Sequence, residues 1–265
     1  MLTRPASPCF QSFTLTTAVK RLATLRKALL RPDEKRTCRY LAGLSFGPSS
    51  AALIRMLSEN LAYVRAKANP KAPIAYELLV LHVDTDLRSR TPGESSEAEQ
   101  LLGRYRERFP SLEFRRVALS DALNLRSIDW TALPGVRASG DDEERMRALF
   151  DGLPSVTSRA DVLRLLIRHL LLAQAVETRC DALLMGCTTT ALAELALAEV
   201  AKGRGFSVPW QIEDGPFPLA GDAESPSSTA GQDGASPGTI HISYPLRDVF
   251  RKELHTHTLA SATRP

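Results

Sequence analysis

The sequence predicts an α/β fold, a doubly wound and mostly parallel sheet of about five strands with helices on both faces. Short apolar runs at 39–45, 77–83, 112–119, 180–186 and 239–243 alternate with stretches of helical periodicity. The run Glu77-Leu78-Leu79-Val80-Leu81-His82-Val83 is apolar almost throughout, as suits a parallel strand covered on both sides. With 265 residues, 43% apolar and 24% charged, the chain has material for one sizeable core.

The first 38 residues read as a basic helical arm. Leu15, Val19, Leu22, Leu25 and Leu29 recur at helical spacing, with Lys20, Lys27 and Arg31 about one face further round and Arg21 beside them. Residues 1–39 carry a net +7 and the remainder −3. Such a segment suits a polyanionic partner, a solvated helix face or a mitochondrial transit peptide. Pro32-Asp33 stops the helix.

The α/β domain is predicted over 39–258. Its first strand, 39–45, runs into Leu44-Ser45-Phe46-Gly47-Pro48-Ser49-Ser50 and then a helix over 49–68. Strand, small-residue turn and helix N-terminus form the geometry that holds a phosphate, and also an ordinary serine-capped turn. The second strand ends at Asp84 and Asp86, on the edge where open α/β sheets bind ligands. A helix over 97–109 follows, and then a third strand with Glu113, Arg115 and Arg116 pointing outward.

Residues 121–154 read as a loop with a short helix near 143–150. Ser158 and Asp161 look like a helix cap and its third-position acid, opening a helix to about 178. The fourth strand, 180–186, leads to a helix capped by Thr188 or Thr189. Residues 214–238, rich in Pro, Gly, Ser and Asp, read as a flexible insertion. Thr239–Ser243 is the last strand, Pro245 opens a final helix, and 259–265 is a disordered tail.

Four cysteines without a C-x-x-C pair fit neither a disulfide framework nor a complete zinc site. Cys180 and Cys187 bracket the fourth strand about 23 Å apart, too far to pair or to exchange sulfur directly. They and Cys38 are expected to be buried. His82 reads as a core residue. His255 and His257 share no helix face, so with His241 they suggest no metal site. Trp210 suits packing or base stacking. No run approaches the roughly 20 apolar residues that span a bilayer.

Three elements in order, the Ser45–Ser50 loop, the Val83-Asp84 strand end and Leu184-Met185-Gly186-Cys187-Thr188-Thr189-Thr190, resemble the PP-loop ATP pyrophosphatase superfamily. Pro48-Ser49-Ser50, Ser158-Arg159-Ala160-Asp161, Gly203-Arg204-Gly205 before Val208-Pro209, and Tyr244-Pro245-Leu246-Arg247-Asp248 narrow the resemblance to the cytoplasmic tRNA 2-thiolation protein 2 family, over about 9–255. That resemblance implies a cytoplasmic, non-catalytic partner subunit in wobble-uridine thiolation. It would bind tRNA and a catalytic PP-loop subunit, cytoplasmic tRNA 2-thiolation protein 1, and a ubiquitin-related modifier would supply the sulfur.

Active members of the superfamily carry Ser-Gly-Gly-x-Asp-Ser in the loop. Here Phe46 stands for the first glycine and Ser49 for the aspartate, and Thr188, Thr189, Thr190 and Ala191 replace a later acidic motif. The resemblance therefore implies a vestigial nucleotide site at Ser45, Gly47, Ser49, Ser50, Asp84 and Gly186, with tRNA contacts at Lys20, Arg21, Lys27 and Arg31. No catalytic residue, metal or resident cofactor is expected. Cys9 matches only the last ligand of the family's zinc module. An adenylating enzyme that still uses ATP and a nucleotide-binding regulatory module are the rival readings.

Overall fold

The structure, a computed structural model, describes residues 8–67, 76–88, 95–134, 140–219 and 239–254. Strands β1 (Cys38–Gly43), β2 (Tyr76–Asp84), β3 (Glu113–Ala118), β4 (Ala182–Leu184), β5 (Gly215–Pro218) and β6 (Thr239–Ser243) form one sheet in the order β3-β2-β1-β4-β6-β5. β1 pairs in parallel with β4, from Tyr40 opposite Ala182 to Ala42 opposite Leu184. β4 pairs in parallel with β6, from Ala182 opposite His241 to Leu184 opposite Ser243.

The order runs outward from β1 to β2 and β3, then restarts on the other side of β1 with β4. Parallel crossovers keep one hand, so this reversal sends helices to both faces and opens a crevice beside β1 and β4. The α/β class expected from the sequence is the class observed.

The helices are α1 (Pro8–Leu29), α2 (Pro48–Lys67), α3 (Glu97–Arg108), α4 (Asp142–Gly152), α5 (Val156–Glu177), α6 (Thr189–Ala201) and α7 (Val208–Ile212). Several sequence expectations differ from what is seen. α5 is capped by Ser155, whose hydroxyl accepts from Ser158 N at 3.0 Å, so the cap lies three residues before the predicted Ser158. Ser155→Ala should cost about 1 kcal/mol and Ser158→Ala only a few tenths, as read from urea midpoints.

Gly215–Pro218 is a strand although the segment reads as insertion, while 220–238 lie outside the described residues. Two prolines in four residues hide a strand, and such strands sit at a sheet's edge, where β5 is found. Pro245 opens a turn, with Arg247 N donating to Tyr244 O at 3.0 Å, and helical structure begins only at 251. Arg116 is exposed as expected, but on the opposite strand face from Arg115, because side chains alternate along β3 and Arg116 shares the face of buried Phe114.

The chain divides into two compact units. The first comprises 1–80, 180–215 and 241–265. Its core joins Tyr40, Leu41 and Ala42 of β1 to Leu53, Ile54, Leu57 and Leu61 of α2, with Leu183, Ile242 and Tyr244. α1 is part of this unit and packs on α2. Its buried stripe is Thr14, Ala18, Leu22 and Leu25, whereas the predicted Leu15, Val19 and Leu29 are only half-buried.

The second unit comprises 81–179 and 216–240. α4 and α5 pack there on a 3-10 turn at Leu119–Asn124, around Leu102, Phe114, Met146, Leu149 and Leu170.

Candidate functional site

The loop after β1 closes on itself. Ser50, the buried member of the α2 first turn, accepts from Ser45 N at 3.1 Å and donates to Gly47 O at 3.1 Å. The Ser45 and Ser50 hydroxyls lie 3.0 Å apart, and Gly47 N donates to Ser45 Oγ at 3.4 Å. One proton assignment satisfies every contact. The Ser50 hydrogen goes to Gly47 O, so the Ser45 hydrogen goes to Ser50 Oγ. Two backbone N–H groups and both hydroxyls that would meet a phosphate are thus directed at one another.

The left-handed bend of this loop falls on Phe46, at φ 57°, and not on Gly47. A bulky residue there costs about 1–2 kcal/mol relative to glycine. The neighbours over-determine the bend, since both flanking serines are hydrogen-bonded within the loop.

Gly186, just past β4, sits against the start of α2. A Cβ on it would lie 2.9 Å from Ser50 Cα and 3.1 Å from Ser50 N. Only glycine lets the two loops touch this closely.

The threonines after Gly186 are also spent. Thr188 caps α6, accepting from Ala191 N at 3.3 Å. Thr189 donates through its hydroxyl to Arg247 O at 2.5 Å and through its backbone to Val249 O at 3.0 Å. Thr190 Oγ1 accepts from Arg251 N at 3.2 Å. These bonds tie the α6 N-terminus to the 247–251 segment, where an anion would otherwise compete for the same amides.

Asp84, in the second unit, ends β2 buried. One carboxylate oxygen accepts from Arg116 Nη1 at 3.0 Å and the other from Asp86 N at 3.1 Å. The acid expected in the vestigial nucleotide site is thus paired with an arginine from β3.

On α1, Lys20 and Lys27 are exposed and two turns apart on one face. Arg31 is exposed beyond the helix end. Arg21 faces the other way, pairing with Asp214 at 3.2 Å and Asp248 at 3.2 Å. Asp214 also accepts from Tyr244 N at 2.6 Å and pairs with Arg247 at 3.3 Å. Arg21 therefore serves the fold, and sequence reading missed its partner Asp214.

No family model matches the chain. Cytoplasmic tRNA 2-thiolation protein 2 of Sclerotinia sclerotiorum is 35% identical over 264 residues, covering 97% of this chain and 63% of that protein. The proteins of that name from Pyrenophora tritici-repentis and Phaeosphaeria nodorum are 32% and 35% identical, over 93% and 94% of this chain and 57% and 58% of their own lengths. By sequence, this chain is similar to proteins named cytoplasmic tRNA 2-thiolation protein 2. It spans about three-fifths of the length of these tRNA 2-thiolation protein 2 sequences.

Among solved structures, the U34-tRNA thiolase NcsA of Methanococcus maripaludis matches with a TM-score of 0.58 at 16% identity, over 98% of this chain and 66% of that one. That likeness shows the shared fold.

The archaeal thiolase carries a [4Fe-4S] cluster, which needs several thiolates around one point. The described cysteines of this chain do not fit one. Cys38 and Cys180 are buried, and Cys187 lies past the far end of β4 from Cys180. Cys187 is half-buried, not buried as expected, because it stands in the loop beyond the strand. Among the described residues no three His, Cys, Asp or Glu converge to hold a metal, and no helix is long and apolar enough to cross a membrane.

His82 is half-buried in β2. His241 is half-buried in β6, where burial lowers its pKa. His255 and His257 lie outside the described residues, and the side chain of Cys9 is likewise not described. Trp210 stands exposed on α7, against the packing reading.

Proposed function

We propose that this chain is a cytoplasmic, non-catalytic subunit of the tRNA wobble-uridine 2-thiolation complex. In this reading it binds tRNA and pairs with a catalytic PP-loop homologue, cytoplasmic tRNA 2-thiolation protein 1, which holds the ATP and the sulfur-carrying cysteines. A ubiquitin-related modifier pathway supplies the sulfur. The observation that carries the reading is the self-satisfied Ser45–Ser50 loop. Binding a pyrophosphate there would require breaking four internal hydrogen bonds around a left-handed Phe46. Asp84, locked to Arg116, and the threonines, locked to 247–251, support the same conclusion.

Lys20, Lys27 and Arg31 are the phosphate-contacting residues of this proposal, and Arg21 stiffens the helix that carries Lys20 and Lys27. Neutralising Lys20 and Lys27 to glutamine should weaken tRNA binding and lower the log–log salt slope by about two. An unchanged slope removes α1 from the tRNA interface. The catalytic question is decided by pyrophosphate exchange on the isolated chain with ATP and tRNA. No exchange is expected, and exchange above background would make the chain an adenylating enzyme in its own right. Tight ATP binding without tRNA affinity would make it a regulatory module.

A further inference from the structure

The second unit holds a cavity of about 440 Å³, lined by the C-terminal turns of α5, the 125–127 segment and β5. One wall is a single face of that helix, His169, Leu172, Ala173 and Val176, spaced at three and four residues. Leu125 and the β5 residues Phe217 and Pro218 make the facing walls. Buried Arg168 lies over the Phe217 ring at 5.1 Å and fixes that ring in place.

Polar groups are few and local. Ser127 Oγ lies 3.2 Å from His169 Nδ1. Burial, with the Arg168 charge adding to it, lowers the His169 pKa, so the imidazole is held neutral near pH 7. In a neutral ring hydrogen-bonded through Nδ1 to a hydroxyl, Nε2 can donate or accept, according to which way the serine hydrogen turns. Arg126 borders the cavity, is exposed, and makes no ion pair or hydrogen bond among the described residues. Glu177, also on the border, accepts from Gln174 Nε2 at 2.6 Å and keeps a second oxygen for an N–H donor.

Flat apolar walls, a hydrogen-bonding edge that serves donors and acceptors alike, and an uncommitted guanidinium at the rim form a specific combination. It suits a planar heterocycle joined to a phosphate. We propose that this cavity is a nucleobase site. It takes one unstacked base between Phe217 and the α5 face, with Ser127 and His169 at the base edge and Arg126 on the phosphate. The base comes from an RNA strand or a free nucleotide. The site is separate from the loop after β1, and it stands whether or not α1 binds tRNA.

The test follows the His169 imidazole resonances of the full chain by NMR while UMP, AMP or unmodified tRNA is added. A saturable shift is expected. A shift with tRNA alone identifies an RNA base, and a shift with the mononucleotides identifies a free-nucleotide site. Ala173→Phe fills the cavity without touching its polar groups and should abolish the shift. Arg126→Gln alters only an exposed side chain and should weaken mononucleotide or tRNA binding at this site about threefold or more.

No His169 shift with any of the three ligands overturns the proposal, as does an affinity unchanged by Arg126→Gln. An undiminished shift in a folded Ala173→Phe protein does the same. If tRNA binds through Lys20 and Lys27 while His169 stays silent, this site fails and the subunit reading survives.

Discussion

Gly186→Ala should lower the urea midpoint by an amount equivalent to about 2–3 kcal/mol. The added Cβ would meet backbone on two sides, Ser50 Cα at 2.9 Å and Ser49 C at 3.3 Å. Backbone cannot turn aside as the end of a long side chain can. Relief requires the start of α2 to move, and with it the hydrogen bonds from Ser50 to Ser45 and Gly47. Gly103→Ala is the internal control. It lies inside α3 with nothing within 4 Å of its added Cβ, and it should gain stability by about 1 kcal/mol. If both variants unfold at the wild-type midpoint, the close approach of the two loops is not what holds them.

Asp214→Ala should cost about 3 kcal/mol, because one carboxylate serves three donors. Its loss leaves Tyr244 N, at the end of β6, without its acceptor. It also leaves Arg21 and Arg247 facing each other across the vacated position. Arg21 retains Asp248 at 3.2 Å, which limits the loss on that side. Asp214→Asn keeps one acceptor oxygen for Tyr244 and drops the charge, so its cost should be roughly half. Equal midpoints for the two variants in urea would mean that the ion pairs, partly solvated as they are, contribute nothing.

Most elements of the fold were legible, because apolar periodicity is a local property of the chain. The strands at 38–43, 76–84, 113–118 and 239–243, and the helices between them, lie within a few residues of their predicted places. What escaped was decided by packing. β5 is Gly-Pro-Phe-Pro, which reads as a loop in any window. α7 is five residues long, too short for periodicity to register. The α5 cap could sit at either of two serines three apart, and the acid at 161 favoured the wrong one.

The site divides in the same way. Strand, turn and helix around Ser45–Ser50 could be read directly. Which partner each hydroxyl takes could not, since that depends on rotamers and on the bend at Phe46. Asp84 finds Arg116 from 32 residues away, and Arg21 finds Asp214 across most of the chain. Long-range pairs of charges leave no spacing signature. Cavity walls drawn from α5 and β5 leave none either.

The pairing of β1 with β4 also has a bearing on how the protein emerges from the ribosome. Tyr40 waits for Ala182, more than half the chain further on. At about 5–20 residues per second, that partner follows some 7–30 seconds later. Meanwhile one edge of β1, with Tyr40, Leu41 and Ala42 in it, has no companion and is open to the wrong one. The yield of this protein in a heterologous host should therefore depend on translation speed between these two segments, and on chaperones that shield unpaired strand edges.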